Sequence, residues 1–368
     1  MPAMVAAALT QLAPTEPPTT RPLSISSLRE SVNSCRDSEL RDLYERSQDS
    51  IDRIYRERFP RWVLTFSGGK DSTLALILAV DYLLSKNVRP RLDVVYSDTL
   101  VEIPAMRSAV SKMLTFAKAL GQRGELNVRV HTVTPKMEDR FWYCILGRGY
   151  PPPKPKFRWC TRRMKITPAT PIVSTGGRTA VLTGVRYGES AQRTGRLIAS
   201  CATGGECGQD FWFSRGPEGS NVSYFAPVVQ WRTCKVWDFL HFVAPLAGWP
   251  TESVYNLYGD TSLRFGCWAC TVVRRDRTME ALASYPDGSD MSSLNGFRER
   301  LLVKAADRQS RLMRNGHLGP FSLAARKELL TELLALQAKT GRPLISTDEI
   351  RAIRRFWAND AFGKAGGD

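Results

Sequence analysis

The sequence predicts an α/β fold: a doubly wound, mostly parallel sheet with an N-terminal helical segment and a helical C-terminal region. Two observations predict it. Short apolar runs of strand length alternate with longer segments of helical period, and the turns after those runs hold the glycines and charged residues. The segment to about Pro22 is rich in Ala, Pro and Thr and reads as a disordered tail. Residues 23–58 are helical, with Leu40, Leu43, Tyr44, Ile51 and Ile54 recurring on one side. Strand Trp62–Phe66, helix Asp71–Leu84, strand Leu92–Ser97, helix Ile103–Leu120, strand Val128–Val133 and strand Ala180–Gly184 follow, within a domain of residues 59–277. Residues 278–368 read as helical; Ser346-Thr347-Asp348-Glu349 opens the last helix as a capping box, and Ile350, Ile353 and Trp357 give it an apolar face.

The 368 residues, 43% hydrophobic, suffice for a sizeable core. A formal charge of +16 points to a polyanionic partner such as nucleic acid, or to a merely solvated surface. The run AMVAAAL at residues 3–9 is too short and lacks the basic flank of a signal peptide, and no run approaches the ~18 apolar residues of a membrane span, so a cytoplasmic protein without a membrane partner is expected.

Ser67-Gly68-Gly69-Lys70-Asp71-Ser72 joins a strand to an apolar helix. Glycines there let a ligand approach the backbone, and the N–H groups of the following helix start favour an anion, most naturally a phosphate. The spacing matches neither Gly-x-x-x-x-Gly-Lys-[Ser/Thr] nor Gly-x-Gly-x-x-Gly. "YSDT" (Tyr96–Thr99) and "TGVRYGES" (Thr183–Ser190) also fall at strand ends, where α/β sheets place ligands. Lys70, Asp71, Asp98, Arg186 and Glu189 are therefore candidate catalytic residues, and Ser67, Gly68, Gly69, Lys70, Asp71, Ser72, Gly184 and Arg193 candidate nucleotide contacts; Arg186, Glu189 and Arg193 also fit a charge pattern on a helix start.

The eight cysteines suit ligands, reactive thiols or core positions in a cytosolic chain better than disulfides. Three histidines without paired spacing argue against a histidine-rich zinc site. Cys267-Trp268-Ala269-Cys270 can be a redox pair, half of a zinc site or part of an iron–sulfur site. Cys160 is a plausible third thiolate, in a stretch from Lys154 to Lys165 that holds cations and no acid. Cations this dense should depress a thiol's pKa and attract phosphate. Arg158, Arg162, Arg163, Arg274 and Arg275 are candidate nucleic-acid contacts, and Trp159, Trp268 and Trp212 candidate base-stacking residues. Cys35 and Cys234 read as buried inert thiols, and Ser200–Phe225 as an active-site loop or lid.

The Ser-Gly-Gly-x-Asp-Ser loop resembles that of the N-type ATP pyrophosphatases, of the adenine nucleotide alpha hydrolase-like fold. Trp-Cys followed by Lys-x-x-Pro, with a later Cys-x-x-Cys, resembles the iron–sulfur sulfonucleotide reductase superfamily. "WVLTFSGGKDST", "YSDTLVEIP", "WCTRRMKI", "GVRYGESAQR", "PVVQWRTCKVWDFL", "RFGCWACTVV" and "LAARKELLTELLALQ" together resemble the DNA phosphorothioation sulfurtransferase family, DndC-type or its single-strand-system counterpart, from about residue 40 to 357. The resemblance implies ATP with Mg²⁺ as activator of a DNA backbone phosphate, a [4Fe–4S] cluster on Cys160, Cys267 and Cys270, and a cysteine desulfurase and other phosphorothioation-system subunits as partners. The family's further cysteine has no counterpart in Tyr255–Phe265. Cys207 or Cys201 then supplies the fourth ligand, or three thiolates hold a cluster whose open iron binds sulfide. A tRNA thiolase, a sulfonucleotide reductase and a non-enzymatic DNA-binding subunit are the rivals; the absence of any cysteine after Cys270 counts against the reductase.

Overall fold

The computed structural model describes residues 25–86, 90–124, 126–188, 195, 213–216, 219–258, 266–284 and 288–359. The tail predicted to Pro22 lies outside them. Helices α1 (Ile25–Ser34) and α2 (Ser38–Arg56) precede β1 (Arg61–Phe66), α3 (Lys70–Ser85), β2 (Arg91–Ser97), α4 (Pro104–Gln122) and β3 (Val128–Val133). A π turn at Tyr143–Gly147 follows, then a single α turn Trp159–Thr161, a π turn Arg162–Ile166 and α5 (Thr167–Ser174). Next come β4 (Thr179–Leu182), β5 (Phe213–Arg215), β6 (Val222–Phe225), α6 (Thr233–Asp238), a π turn Phe239–Val243 and α7 (Glu252–Tyr258). The chain ends with α8 (Arg277–Ala283), α9 (Ser289–Ala306), the strands β7 (Arg311–Arg314) and β8 (His317–Phe321), α10 (Leu323–Thr340) and α11 (Thr347–Asn359).

The main sheet has the order β3-β2-β1-β4-β6-β5. β1 runs parallel to β2, with Arg61 opposite Arg91 and Phe66 opposite Tyr96, and parallel to β4. β4 runs parallel to β6. Leu92 N donates to Asn127 O and Asp98 N to Val133 O, both at 2.9 Å, so β3 advances with β2. Only β5 is antiparallel. The expected doubly wound, mostly parallel sheet is present, and the chain leaves β1 toward β2 on one side and returns to β4 on the other. That reversal makes the carboxyl ends of β1 and β4 the switch point where such sheets place ligands. β5 and β6 also correct the reading of Ser200–Phe225 as a loop: its second half carries two antiparallel strands that complete the sheet, and residues 200–212 lie outside the description.

The described residues fall into two compact units. Among the described residues the first draws on those within 25–96, 104–132 and 169–258, the second on those within 97–103, 133–168 and 266–359. In the first, α3 is buried from Ser72 to Leu83, a helix apolar on all sides because β1, α1, α2 and α6 pack around it. Asp37 caps α2 by accepting from Leu40 N at 3.1 Å. Buried Asp93 of β2 is the one acid shared by Arg61, Arg91 and His131. Burial alone would raise its carboxyl, but their hydrogen bonds hold it below the ordinary range.

In the second unit the C-terminal region is not wholly helical. Asn315 and Gly316, with φ of 51° and 75°, form the two-residue turn between β7 and β8, a geometry Asn-Gly favours. The capping box of α11 is half formed. Ser346 Oγ accepts from Glu349 N at 3.2 Å, but the Glu349 carboxylate accepts instead from Tyr143 N at 3.0 Å, and Trp357 Nε1 donates to Leu146 O. The last helix is thus bound onto the π turn at Tyr143–Gly147. No helix among the described residues is long and apolar enough to cross a membrane.

Burial pushes the Glu349 carboxyl up from 4.5 to about 7, against the backbone hydrogen bonds and Arg140 nearby. The fold therefore binds this proton more tightly than the unfolded chain does. Its stabilising effect is complete below about pH 4.5 and is lost as pH rises through about 7. Glu349→Gln keeps an acceptor for Tyr143 N and is expected to remove about 1–3 kcal/mol of the stability change across that window. Thermal midpoints of both proteins from pH 4.5 to 7.5 check it; equal slopes would contradict the assignment.

Candidate functional site

The turn from β1 to α3 is shaped by its glycines. Gly68 has φ of +75°, and a Cβ there would meet Val110 Cγ2 at 2.1 Å. Gly69 is the N-cap of α3 and offers no side-chain cap, so no capping side chain occupies the positive end of this 16-residue helix. Ser72 Oγ closes the turn by donating to Gly69 O at 3.0 Å and accepting from Ser67 N at 3.2 Å; Ser67 Oγ lies 3.0 Å from it. This is a preformed anion cradle.

Charged residues frame it. Lys70 Nζ lies 3.1 Å from Asp71 Oδ2 and 5.8 Å from the centre of the Tyr258 ring. Arg186, 2% exposed, donates from Nε to Asp71 Oδ1 at 2.5 Å, from Nη1 to Trp231 O at 2.6 Å and from Nη2 to Thr233 Oγ1 at 3.2 Å. Gly184 lets β4 come this close, since a Cβ would lie 2.6 Å from Asp71 C and from Ser72 N. The structure therefore gathers Ser67 to Ser72, Gly184 and Arg186 at the β1/β4 switch point. Arg186 spends its guanidinium on holding the loop and α6, which makes it a positioning residue. Tyr258, Thr233 and the Trp231 carbonyl were not anticipated; only "PVVQWRTCKVWDFL" carried a signal. Glu189 and Arg193 lie outside the described residues.

The second unit gathers thiols. Thr99–Ile103 runs antiparallel to the Cys-x-x-Cys segment: Trp268 N donates to Val101 O at 3.0 Å, Ile103 N to Gly266 O at 3.3 Å, and Glu102 pairs with Cys267. Asp98 holds this segment by accepting from Leu100 N at 2.8 Å, across a Leu100 of φ +65°; its visible work is a turn. Cys270 N closes on Cys267 O at 3.0 Å, and Thr99 Oγ1 lies 3.5 Å from Cys267 Sγ. Cys160, Cys267 and Cys270 are each half-buried. Burial pushes Cys267 up to about 11 against Lys165, and also raises Cys160; a thiolate at Cys270 would raise both further. At Cys160 and Cys267 the cations do not depress the thiol as expected, because desolvation outweighs them. Buried Arg298 was not anticipated. It donates from Nε to Cys270 O at 2.6 Å and from Nη2 to the carbonyls of Val273 and Arg274, leaving Nη1 without a hydrogen-bond partner among the described residues. Cys207 and Cys201 lie outside the description. Cys234 is exposed rather than buried, because it opens α6 on the side away from Val236.

The predicted nucleic-acid contacts divide. Arg158, Arg162 and Arg274 are exposed. Arg163 pairs with Asp139 and donates to Tyr150 Oη at 3.2 Å, and Arg275 pairs with Glu280 at 2.7 Å. Trp159 and Trp268 cannot stack on bases: both are buried, Trp268 at 5.5 Å from Trp142 and Trp159 at 5.7 Å from Phe141, ring centre to ring centre. Trp212 lies outside the description.

A switch-point phosphate cradle on a doubly wound sheet defines a nucleotide-type α/β protein. Residues 61–273 match the phosphoadenosine phosphosulfate reductase domain, more than half of the chain, which therefore belongs to that family. Three solved structures are similar to it. Phosphoadenylyl-sulfate reductase from Candida auris, in a phosphate complex, shares 16% identity over 69% of this chain and 100% of its own, with a TM-score of 0.38. U34-tRNA thiolase NcsA from Methanococcus maripaludis, with its [4Fe–4S] cluster, shares 13% over 73% and 81%, at 0.37. FMN adenylyltransferase from Candida glabrata, with FAD and pyrophosphate, shares 11% over 59% and 62%, at 0.35. No curated protein matches.

Arg186→Ala leaves the Asp71 carboxylate to Lys70 alone and removes the donor to the Trp231 carbonyl, and is expected to cost about 1–3 kcal/mol, read as a lower urea midpoint. Arg186→Lys keeps the charge but not the three-way hydrogen bonding and should fall between. Wild-type stability in Arg186→Ala would refute the clamp.

Proposed function

We propose that this chain is an ATP-dependent sulfurtransferase that adenylylates a DNA backbone phosphate and replaces a non-bridging oxygen with sulfur. The observation that supports it most is that one chain holds both an anion cradle at the start of α3 and, in its second unit, Cys160 and Cys267 each within electrostatic reach of Cys270. The choice of DNA rests on the seven sequence stretches given above.

In the first step a DNA phosphate oxygen forms a bond to the α phosphorus of ATP, and the bond to the β-phosphate breaks. Pyrophosphate leaves with the electron pair, and Lys70 and the first N–H groups of α3 offset the charge growing on it. Then hydrosulfide bonds to the activated DNA phosphorus and loses its proton, and AMP departs with the former DNA oxygen. The sulfur comes from a cysteine desulfurase, reduced to hydrosulfide by a thiol reductant. Among the described residues no three of His, Cys, Asp or Glu form a site for a metal ion. Mg²⁺ would arrive on the triphosphate, its usual carrier. A single ion would need its thiolates about 2.3 Å from one point. Cys160 and Cys267, each within electrostatic reach of Cys270, and buried Arg298 with its Nη1 unpartnered among the described residues and its Nε on the Cys270 carbonyl, would suit an anionic multinuclear centre. A [4Fe–4S] cluster on Cys160, Cys267 and Cys270, with Cys207 or Cys201 or an open iron as the fourth position, would supply a place for sulfide. Other phosphorothioation-system subunits are the expected partners.

Oxygen-free protein incubated with ATP, sulfide and DNA should yield phosphorothioate dinucleotides after nuclease digestion. Lys70→Ala should lower pyrophosphate release by about 10²–10³-fold, whereas Cys267→Ala should retain release, lose bound iron and lose sulfur incorporation. Sulfur found in tRNA nucleosides and absent from DNA would establish the thiolase instead.

A further inference from the structure

Residues Lys154 to Phe157 form a tight turn closed from both sides: Lys154 N donates to Phe157 O at 3.1 Å and Phe157 N to Lys154 O at 2.9 Å. Its base is pinned. Trp159 Nε1 donates to Pro151 O at 3.0 Å and Thr271 Oγ1 to Pro153 O at 2.8 Å, while Pro152, Pro153 and Trp159 are buried. Everything from Lys154 to Arg158 is exposed, including a Phe157 side chain at 49%. Lys154, Lys156 and Arg158, with Arg162 and Lys165 on the following π turn, have no ion-pair partner among the described residues.

The exposed ring lies within a stretch of sequence that carries five cations without an ion-pair partner among the described residues. Rigid backbone, an open ring and unpaired cations are what a single strand of nucleic acid requires: bases stack on the ring while the cations take phosphates. A double helix offers the phosphates but hides its base faces, so it would leave the ring unused. We propose that Lys154–Arg158 is a stacking platform for an unpaired polynucleotide segment, with Phe157 under a base and Lys154, Lys156 and Arg158 on the neighbouring phosphates. The proposal rests on the reading of nucleic acid as substrate and assigns it a place and a state.

The test is fluorescence anisotropy of the full-length protein without ATP, on labelled 20-nucleotide oligothymidylate, oligouridylate and duplex DNA, over a salt series. Phe157→Ala is expected to weaken oligothymidylate binding about 5- to 100-fold with an unchanged salt slope, and to leave duplex binding as it was. Phe157→Trp should restore single-strand binding. Lys154→Ala/Lys156→Ala/Arg158→Ala should reduce the salt slope by about 0.7 per lost contact. Single-strand binding unaltered in Phe157→Ala, or an equal loss on duplex, overturns the platform and leaves the sulfurtransferase reading standing. A wild-type protein that binds no nucleic acid overturns both. Tighter binding to oligouridylate than to oligothymidylate would keep the platform and shift the substrate to RNA.

Discussion

The close approach of β4 to the first turn of α3 is the constraint on which the first unit depends. At Gly184 two backbones meet with no space for a methyl group, and two residues later Arg186 reaches the side chain of Asp71. A buried pair of this kind contributes little net stability compared with an apolar substitute, since both charges had to leave water. Its effect is geometric, because a guanidinium with three fixed partners admits one arrangement of loop, β4 and α6. The arrangement extends outward: Trp231, whose carbonyl accepts from Arg186, donates through Nε1 to Ser47 Oγ at 2.8 Å, and Ser47 Oγ donates to Pro227 O. The cradle is thereby tied to α2 through hydrogen bonds that are buried from Arg186 to Trp231 and onward.

The thiol region of the second unit is organised differently, by backbone pairing. Thr99–Ile103 acts as a short strand against the Cys-x-x-Cys segment, and Arg298 gathers the carbonyls that follow. A carbonyl so occupied no longer needs water, which lets the turn sit half-buried. The same burial raises Cys160 and Cys267 despite neighbouring cations, because removing water from a thiolate costs more than one partly solvated lysine returns.

The sheet and the cradle were legible in the sequence because they rest on local rules. Strands read as apolar runs, α3 as an apolar helical period, and the loop as glycines between them. Asn315-Gly316 was equally local, and it marks a hairpin within a region that otherwise reads as helix. What the sequence did not show depends on long-range packing. Arg298 lies 28 residues beyond the carbonyl it binds, and nothing in its helix distinguishes it from solvated arginines. Trp159 and Trp268 resemble base-stacking residues by composition, yet with Trp142, Phe141 and Phe297 they build the aromatic core of the second unit. Glu349 has the spacing of a capping box, but its carboxylate was taken by a turn some two hundred positions earlier.

The distribution of acids explains why the positive charge matters where it does. On α2 and the C-terminal helices, cations pair with nearby carboxylates: Arg46 with Asp42, Arg56 with Asp52, Arg300 with Glu332, Lys304 with Glu328. Exposed pairs of this kind contribute only about 0–1 kcal/mol each, but they neutralise the field locally. From Lys154 to Lys165 there is no acid in sequence, and the one cation paired there, Arg163, draws on Asp139. A net charge of +16 is therefore not spread evenly over the surface. Part of it is concentrated beside the three thiols, on a turn too rigid to fold its lysines back onto distant carboxylates. Self-repulsion there raises the free energy of the unbound protein, and a polyanion relieves it on binding.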